Sequence, residues 1–349
     1  MNRKYLIFAF QIVLGIFVLF FGIGCTQNKE YVEFTGKTMG TTYHIRIVPN
    51  QNMNWKLEEA QIKIDSILLE IDQQMSTYKW NSEISLFNQA KINEEIIISA
   101  GFQKVLEQAL YWGEKTNGAL DISVMPSILT WRKGFVDSFE SEWKPPLIND
   151  IVSAKDKVDY AKVLLRGNIL IKVFNGQMID LSAIAKGWGV DQLFELFRNL
   201  DVTNLMVEVG GEVRTMGTNI KKEKWKIGID TPIPDTVPGE NIFKVAVLEN
   251  QAIATSGNYR NFYTFNDKRF SHIIDPRTGY PVETNIASVT VLGTNCMDTD
   301  ALATALSVLN FNEGKALIES LDGFEALWII KEEDGVLISQ STLGMTTIN

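Results

Sequence analysis

Apolar positions along this chain recur with two different periods. Between residues 54 and 75, Leu57, Ala60, Ile64, Ile67, Leu68 and Ile71 return every three or four positions, which predicts a helix with one apolar face. Residues 98 to 116 repeat the pattern through Phe102, Val105, Leu106, Ala109, Leu110 and Trp112. Further helices are expected over 184–200 and 298–309. Shorter apolar runs bounded by turn formers lie between them. Residues 31–48 read as strand with a turn inside Gly36 to Gly40. Residues 162–180 read as strands around an Asn175-Gly176 hairpin turn. Strands are also expected at 205–209, 212–216, 225–229, 243–248, 252–255 and 289–292. The two kinds of element are mixed without a regular βαβ rhythm, and no Pro/Gly/Ser-rich linker divides them. The expected fold is α+β, one compact domain.

The N-terminus follows a different pattern. Arg3 and Lys4 precede an apolar run from Tyr5 to Gly24, broken only by Gln11, and Cys25 and a polar stretch follow. Apolar cores of signal peptides run ~7–15 residues and membrane spans need ~20, so this run lies at the boundary. Small or apolar residues before Cys25 are similar to a bacterial lipoprotein cleavage site, although Gly22 stands where that pattern usually has Leu. An uncleaved anchor with an incidental cysteine is the alternative. Both put the positive end in the cytoplasm and the body outside it. The expected organisation is a signal or lipoprotein anchor over 1–25 and the folded domain over 26–349.

Composition narrows the functional classes. A net charge of -9 argues against a nucleic-acid partner, which usually needs a basic face. With 45% apolar residues the chain can build a real core. The second cysteine, Cys296, is expected to be a small buried residue without chemistry. Gly36-Lys37-Thr38 has the end of a phosphate-binding loop, but Tyr31 stands where that loop needs glycine, and Gly210-Gly211 opens no GxGxxG series.

Four stretches remain as candidate chemistry. On a helix, Asp300 and Thr304 are one turn apart and offer two hard oxygen ligands of the kind Mg²⁺ prefers. They also fit a plain helix start capped by Asp298 or Asp300, with Thr304 bonded back to a carbonyl. Asp180 ends a strand and Lys186 opens a helix, where anions are attracted, or the two form an ordinary strand-to-helix corner. Gly118-Ala119-Leu120-Asp121 allows close approach of a ligand, or is a helix C-cap followed by a turn. His272, one of two histidines, lies in Arg269-Phe270-Ser271-His272-Ile273-Ile274-Asp275-Pro276-Arg277-Thr278-Gly279. It reads either as a packed residue or as a general base for a weak nucleophile.

In family order, these stretches resemble the ApbE family of FAD:protein FMN transferases. The others that match are Gly36 through Tyr43, Met75 through Tyr78, Asp180 through Asp191, Val209-Gly210-Gly211-Glu212 and Ala254 through Tyr259. The resemblance spans nearly the whole body. It implies that FAD and Mg²⁺ bind, that the FMN half passes to a Ser or Thr hydroxyl of an acceptor protein, and that AMP leaves. Acceptors in such a family are extracytoplasmic subunits of respiratory electron-transfer complexes, which suits a lipid-anchored enzyme facing outward from a bacterial membrane. By position, Asp300, Thr304 and the Ala183 carbonyl become magnesium ligands. Met39, Tyr78, Ala119, Leu120, Asp121, Asp180, Lys186 and Ile274 line the FAD site, and His272 takes the hydroxyl proton. Two departures stand out: Leu120-Asp121-Ile122-Ser123 where the family usually has Phe-Asp-Pro-Thr, and Ser127 where it often has Leu. The same site also serves an FAD pyrophosphatase releasing FMN and AMP, and a flavin-binding lipoprotein without turnover is a third reading.

Overall fold

The structure, a computed structural model, describes residues 30–50, 53–134, 143–234, 236–259 and 262–348. The apolar run, Cys25 and the lipoprotein reading lie outside them. No helix among the described residues is long and apolar enough to cross a membrane.

The body opens on a hairpin, β1 (Val32–Thr38) and β2 (Thr41–Ile47), turning at Met39 and Gly40 with φ of 47° and 74°. Gly36 belongs to β1, opposite Tyr43, whose ring would lie 2.5 Å from any Cβ placed there. Helix α1 (Leu57–Met75) buries Ala60, Ile64, Leu68 and Ile71, as the spacing predicts. After α2 (Glu83–Gln89) and β3 (Glu95–Ile97), Ser99 caps α3 (Ala100–Lys115) by accepting from the Phe102 amide. A 3₁₀ turn (Ile122–Val124), α4 (Met125–Lys133), α5 (Ile148–Lys155) and a second 3₁₀ turn (Tyr160–Lys162) lead to β4 (Leu164–Arg166) and β5 (Ile169–Ile171).

The β4–β5 hairpin corrects one expectation. It turns at Gly167 (φ 59°) and Asn168, not at Asn175-Gly176. The chain leaves the ladder early because Lys172 turns inward. Its ammonium donates to the carbonyls of Phe87 (2.9 Å), Asn88 (3.0 Å) and Gln177.

Helix α6 (Ala185–Arg198) precedes the strands β6 (Leu205–Val209), β7 (Glu212–Met216), β8 (Trp225–Asp230), β9 (Ile242–Leu248) and β10 (Ala252–Gly257). The small hairpin β11 (Phe262–Phe265) and β12 (Lys268–Ser271) comes next, then β13 (Ile286–Gly293) and α7 (Cys296–Val308). Helix α8 (Phe311–Glu319), β14 (Glu325–Lys331), β15 (Leu337–Ser341) and β16 (Thr347–Ile348) complete the chain.

One antiparallel sheet organises the domain, in the order β1-β2-β6-β7-β10-β13-β14-β15. Its side chains alternate between two apolar clusters. Val207, Ala252 and Val291 face the layer of α6 and α7, and Trp328 on the same side packs against α8, its ring 5.2 Å from that of Phe311. Met206, Ile253, Leu292 and Ile329 face the three-stranded sheet β16-β9-β8. An antiparallel sheet usually leaves one face wet and shows polar alternation. Here both faces are covered, so β14 reads as the unbroken apolar run Ala326–Ile330, which has no strand periodicity to detect. The domain is α+β as expected, and Cys296 is fully buried.

Candidate functional site

Helices α6 and α7 touch at their N-termini because Gly187 lacks a side chain. A Cβ there would lie 2.7 Å from the Cys296 carbonyl carbon and 2.8 Å from Met297 Cα. Across this contact the helices exchange carboxylates. Asp191 on α6 accepts from the amides of Cys296 and Met297, and Asp300 on α7 accepts from the Gly187 amide at 3.0 Å. Asn295, not an aspartate, caps α7. Asp298 instead ties α7 to α3, accepting from Gln108 and Trp112 at 2.6 Å.

That exchange leaves an oxygen-rich corner. In a regular helix the Gly187 amide would donate to the Ala183 carbonyl four residues back. It donates to Asp300 instead, and the Ala183 carbonyl is spared that bond. The Thr304 hydroxyl, one turn beyond Asp300, makes no hydrogen bond among the described residues, whereas its neighbours Thr299 and Ser307 bond back to helix carbonyls at 2.9 Å. Ala183, Asp300 and Thr304 therefore converge with oxygens to spare.

Lys186 lies 3.3 Å from Asp300 and 3.5 Å from Glu212. The β6–β7 turn places Glu212. Gly210 and Gly211 both have positive φ (63° and 104°), the requirement of a two-residue turn that only glycine meets without strain. The next residue, Glu212, is 4% exposed, and its Oε2 has no hydrogen-bond partner among the described residues. Burial pushes the Glu212 carboxyl up to about 8, with the Asp300 charge adding and Lys186 opposing. Burial likewise raises Asp300, against the pull of Lys186. Burial disfavours the Lys186 charge, but Asp300 and Glu212 outweigh it and hold the ammonium above the usual lysine range. Sequence reasoning quoted Glu212 but gave it no role. The signal it carried was a charge directly after a Gly-Gly turn.

This corner is the floor of a cleft of about 1090 Å³, and all twelve residues singled out in the sequence line it. Met39 reaches it from the strained β1–β2 turn. Ala119, Leu120 and Ile274 form buried wall. Tyr78 is 84% exposed at the rim, with the Arg132 guanidinium 5.8 Å from its ring centre. His272 follows β12 directly and is exposed to the cleft. Two aspartates are more committed than the sequence suggested. Asp121 accepts from the Ser123 amide and hydroxyl and from the Tyr160 amide, and burial raises its carboxyl despite those bonds. Asp180 accepts from the Ser182 amide at 2.7 Å and from its hydroxyl. Both shape the loops that form the wall.

Comparisons with known proteins point to one family. A family model described as the ApbE family matches residues 39–328. The FAD:protein FMN transferase of Haemophilus influenzae is 38% identical over 324 residues, covering 91% of each chain. That of Vibrio cholerae is 36% identical, covering 89% of this chain and 91% of the relative. Among solved structures, the flavin transferase ApbE from Vibrio cholerae superposes with a TM-score of 0.80 at 35% identity, over 90% of this chain and 97% of that one. The apo flavinyl transferase ApbE of Pseudomonas stutzeri gives 0.78 at 28% identity, over 90% and 95%.

Proposed function

The chain belongs to the ApbE family, and from that premise we propose how its cleft transfers the FMN part of FAD to a protein. The activity is that of an FAD:protein FMN transferase. The acceptor group is a Ser or Thr hydroxyl, the metal is Mg²⁺, and His272 is the base. The observation that carries the reading is the converging oxygen corner of Ala183, Asp300 and Thr304 at the floor of the cleft that His272 also lines.

Charge supports a metal. Seven acidic side chains line the cleft against three cationic ones, and even with Glu212 protonated the balance repels a pyrophosphate unless a divalent cation intervenes. The hard oxygens of Asp300, Thr304 and Ala183 suit Mg²⁺. Bound there, Mg²⁺ supplies charge neutralisation on the pyrophosphate. Lys186, partly open to the cleft, presents its ammonium to the phosphates, and the wall from Met39 to Ile274 orients the flavin nucleotide. His272 accepts the proton as the acceptor oxygen bonds to the FMN-side phosphorus. The bridging P–O bond breaks, and AMP departs. A positioned base of this kind contributes typically ~10²–10⁴-fold.

The acceptor is an extracytoplasmic electron-transfer subunit, and Cys25 carries the lipid that holds the enzyme beside it. The test incubates the full chain with FAD, Mg²⁺ and candidate acceptor subunits, then denatures the mixture. Flavin fluorescence on the acceptor band together with AMP supports the reading. AMP without labelled protein overturns it in favour of a pyrophosphatase. Changing Cys25→Ser is expected to move the enzyme from the membrane fraction to the soluble one, and an unchanged distribution rejects the anchor.

A further inference from the structure

Beside the cleft lies a second groove of about 620 Å³. Trp131 and Val308 line both, so the two depressions meet. The groove is apolar near that junction, where Trp131, Phe270, Tyr280, Val282, Val308 and Leu309 line it. Its wall is fixed. The Trp131 ring packs against Phe270 at 5.7 Å and Tyr280 at 6.0 Å, and its Nε1 donates to the Gly279 carbonyl at 2.8 Å. Three of its four charged lining residues are matched in pairs, and Glu313 has no ion pair among the described residues. Arg277 donates twice to Asp275 at 2.9 Å, and Lys268 meets Glu283 at 2.6 Å.

Two features connect this groove to the chemistry. Phe270, on β12, lines the groove, and His272, two residues on, lines the cleft. Val308 stands one helical turn beyond Thr304 on α7, about 6 Å along the axis. A groove so placed adds no surface for the FAD already accommodated by the cleft. It does lie where chain flanking a hydroxyl at His272 has to run.

We propose that this groove docks the acceptor polypeptide, as an extended segment with an apolar side chain about two residues from the modified hydroxyl. The proposal rests on the transferase reading. An extended chain advances about 3.3 Å per residue, so two residues cover about the one helical turn that separates Thr304 in the cleft from Val308 at the junction. Among the described residues β12 belongs to a two-stranded sheet, paired with β11 alone. Its other edge offers backbone groups that an added strand would bond, while the groove reads alternate side chains. Because three of the four lining charges are already paired and only Glu313 is left over, selection falls mainly on apolar contact.

The test presents the full chain, with FAD and Mg²⁺, to a library of peptides about twelve residues long, ~40 Å extended. Each has a central Thr and flanks varied among Ala, Leu, Phe, Asp and Lys, and flavin-labelled peptides are sequenced by mass spectrometry. Wild type is expected to enrich Leu or Phe at one flanking position by about tenfold. Tyr280→Glu and, separately, Val282→Asp are expected to abolish that enrichment. Both should keep FAD affinity, measured by flavin fluorescence quenching, and Tyr280→Glu, at a position open to solvent, should keep the thermal midpoint. Labelling without positional preference in wild type, or the same preference in both variants, overturns the proposal. A wild-type chain that binds FAD but labels neither peptide nor protein overturns the transferase reading and the groove with it.

Discussion

Asp191 reaches from α6 to the start of α7, and Asp300 reaches back from α7 to the start of α6. They are almost equally buried, at 6% and 4% exposure. What the protein does with their oxygens differs. Asp191 accepts from the Cys296 amide at 2.9 and 3.0 Å, the Met297 amide at 2.9 Å and Arg214 at 2.8 Å, so both oxygens are engaged by short bonds. Asp300 accepts one short bond, from Gly187, and two long ones from Lys186 at 3.3 and 3.4 Å. Its remaining capacity faces the cleft. Burial therefore does not separate a structural carboxylate from a functional one. What separates them is whether the protein itself saturates it.

The sharpest way to break this comparison is to exchange the two carboxylates' fates. Asp300→Ala is expected to lower transfer by roughly 10³-fold, or about 4 kcal/mol, with a raised Mg²⁺ requirement and little change in unfolding. AMP-release rates across an Mg²⁺ titration, beside a thermal melt, check it. An unaltered metal titration would remove Asp300 from the metal site. Asp191→Ala should do the opposite, costing about 3–5 kcal/mol of stability because Arg214 is left beside a lost partner. Urea unfolding measures this, and the remaining folded protein should still bind FAD. Gly187→Ala tests the contact both carboxylates depend on. Overpacking against the α7 N-terminus is expected to cost about 1–3 kcal/mol and to weaken Mg²⁺ response together with stability.

The smallest effect contrasts the two inward-facing lysines. Burial pushes Lys172 down to about 8, with Glu94 pulling upward, while Lys186 is held high by its carboxylates. Between about 8 and the ordinary lysine value of 10.5, the unfolded chain binds more protons at Lys172 than the folded one does. Stability from this group therefore rises with pH across that window. Wild type should gain on Lys172→Met in urea unfolding as pH rises from 8 towards 10.5, and a constant gap would show that the three carbonyls keep Lys172 charged.

Helices α1 and α3 were legible because each has a single apolar face, while the shorter α2, α4, α5 and α8 were not expected from the sequence. The α1 and α3 spacings survive to within a few residues. The Asn175-Gly176 turn misled because an inward lysine, not turn chemistry, ended β5. β14 was silent because both its faces are buried. At the site, the twelve residues to which the family resemblance gave a role line one cleft. Asp121 and Asp180, read as ligand-facing, spend bonds on their own loops.

By itself, then, the sequence determined the faces of the longer helices, most of the strands but not β3, β11, β12 or β14 to β16, the α+β class and the roster of candidate residues, since periodicity and residue order are local properties. Only the tertiary structure decided which carboxylate is saturated, that Glu212 joins Lys186 and Asp300, and that a groove continues the cleft past Val308. Those facts depend on the glycine-tight approach of two helix N-termini more than a hundred residues apart. No local pattern records which hydrogen bonds are left unmade once the chain has closed on itself.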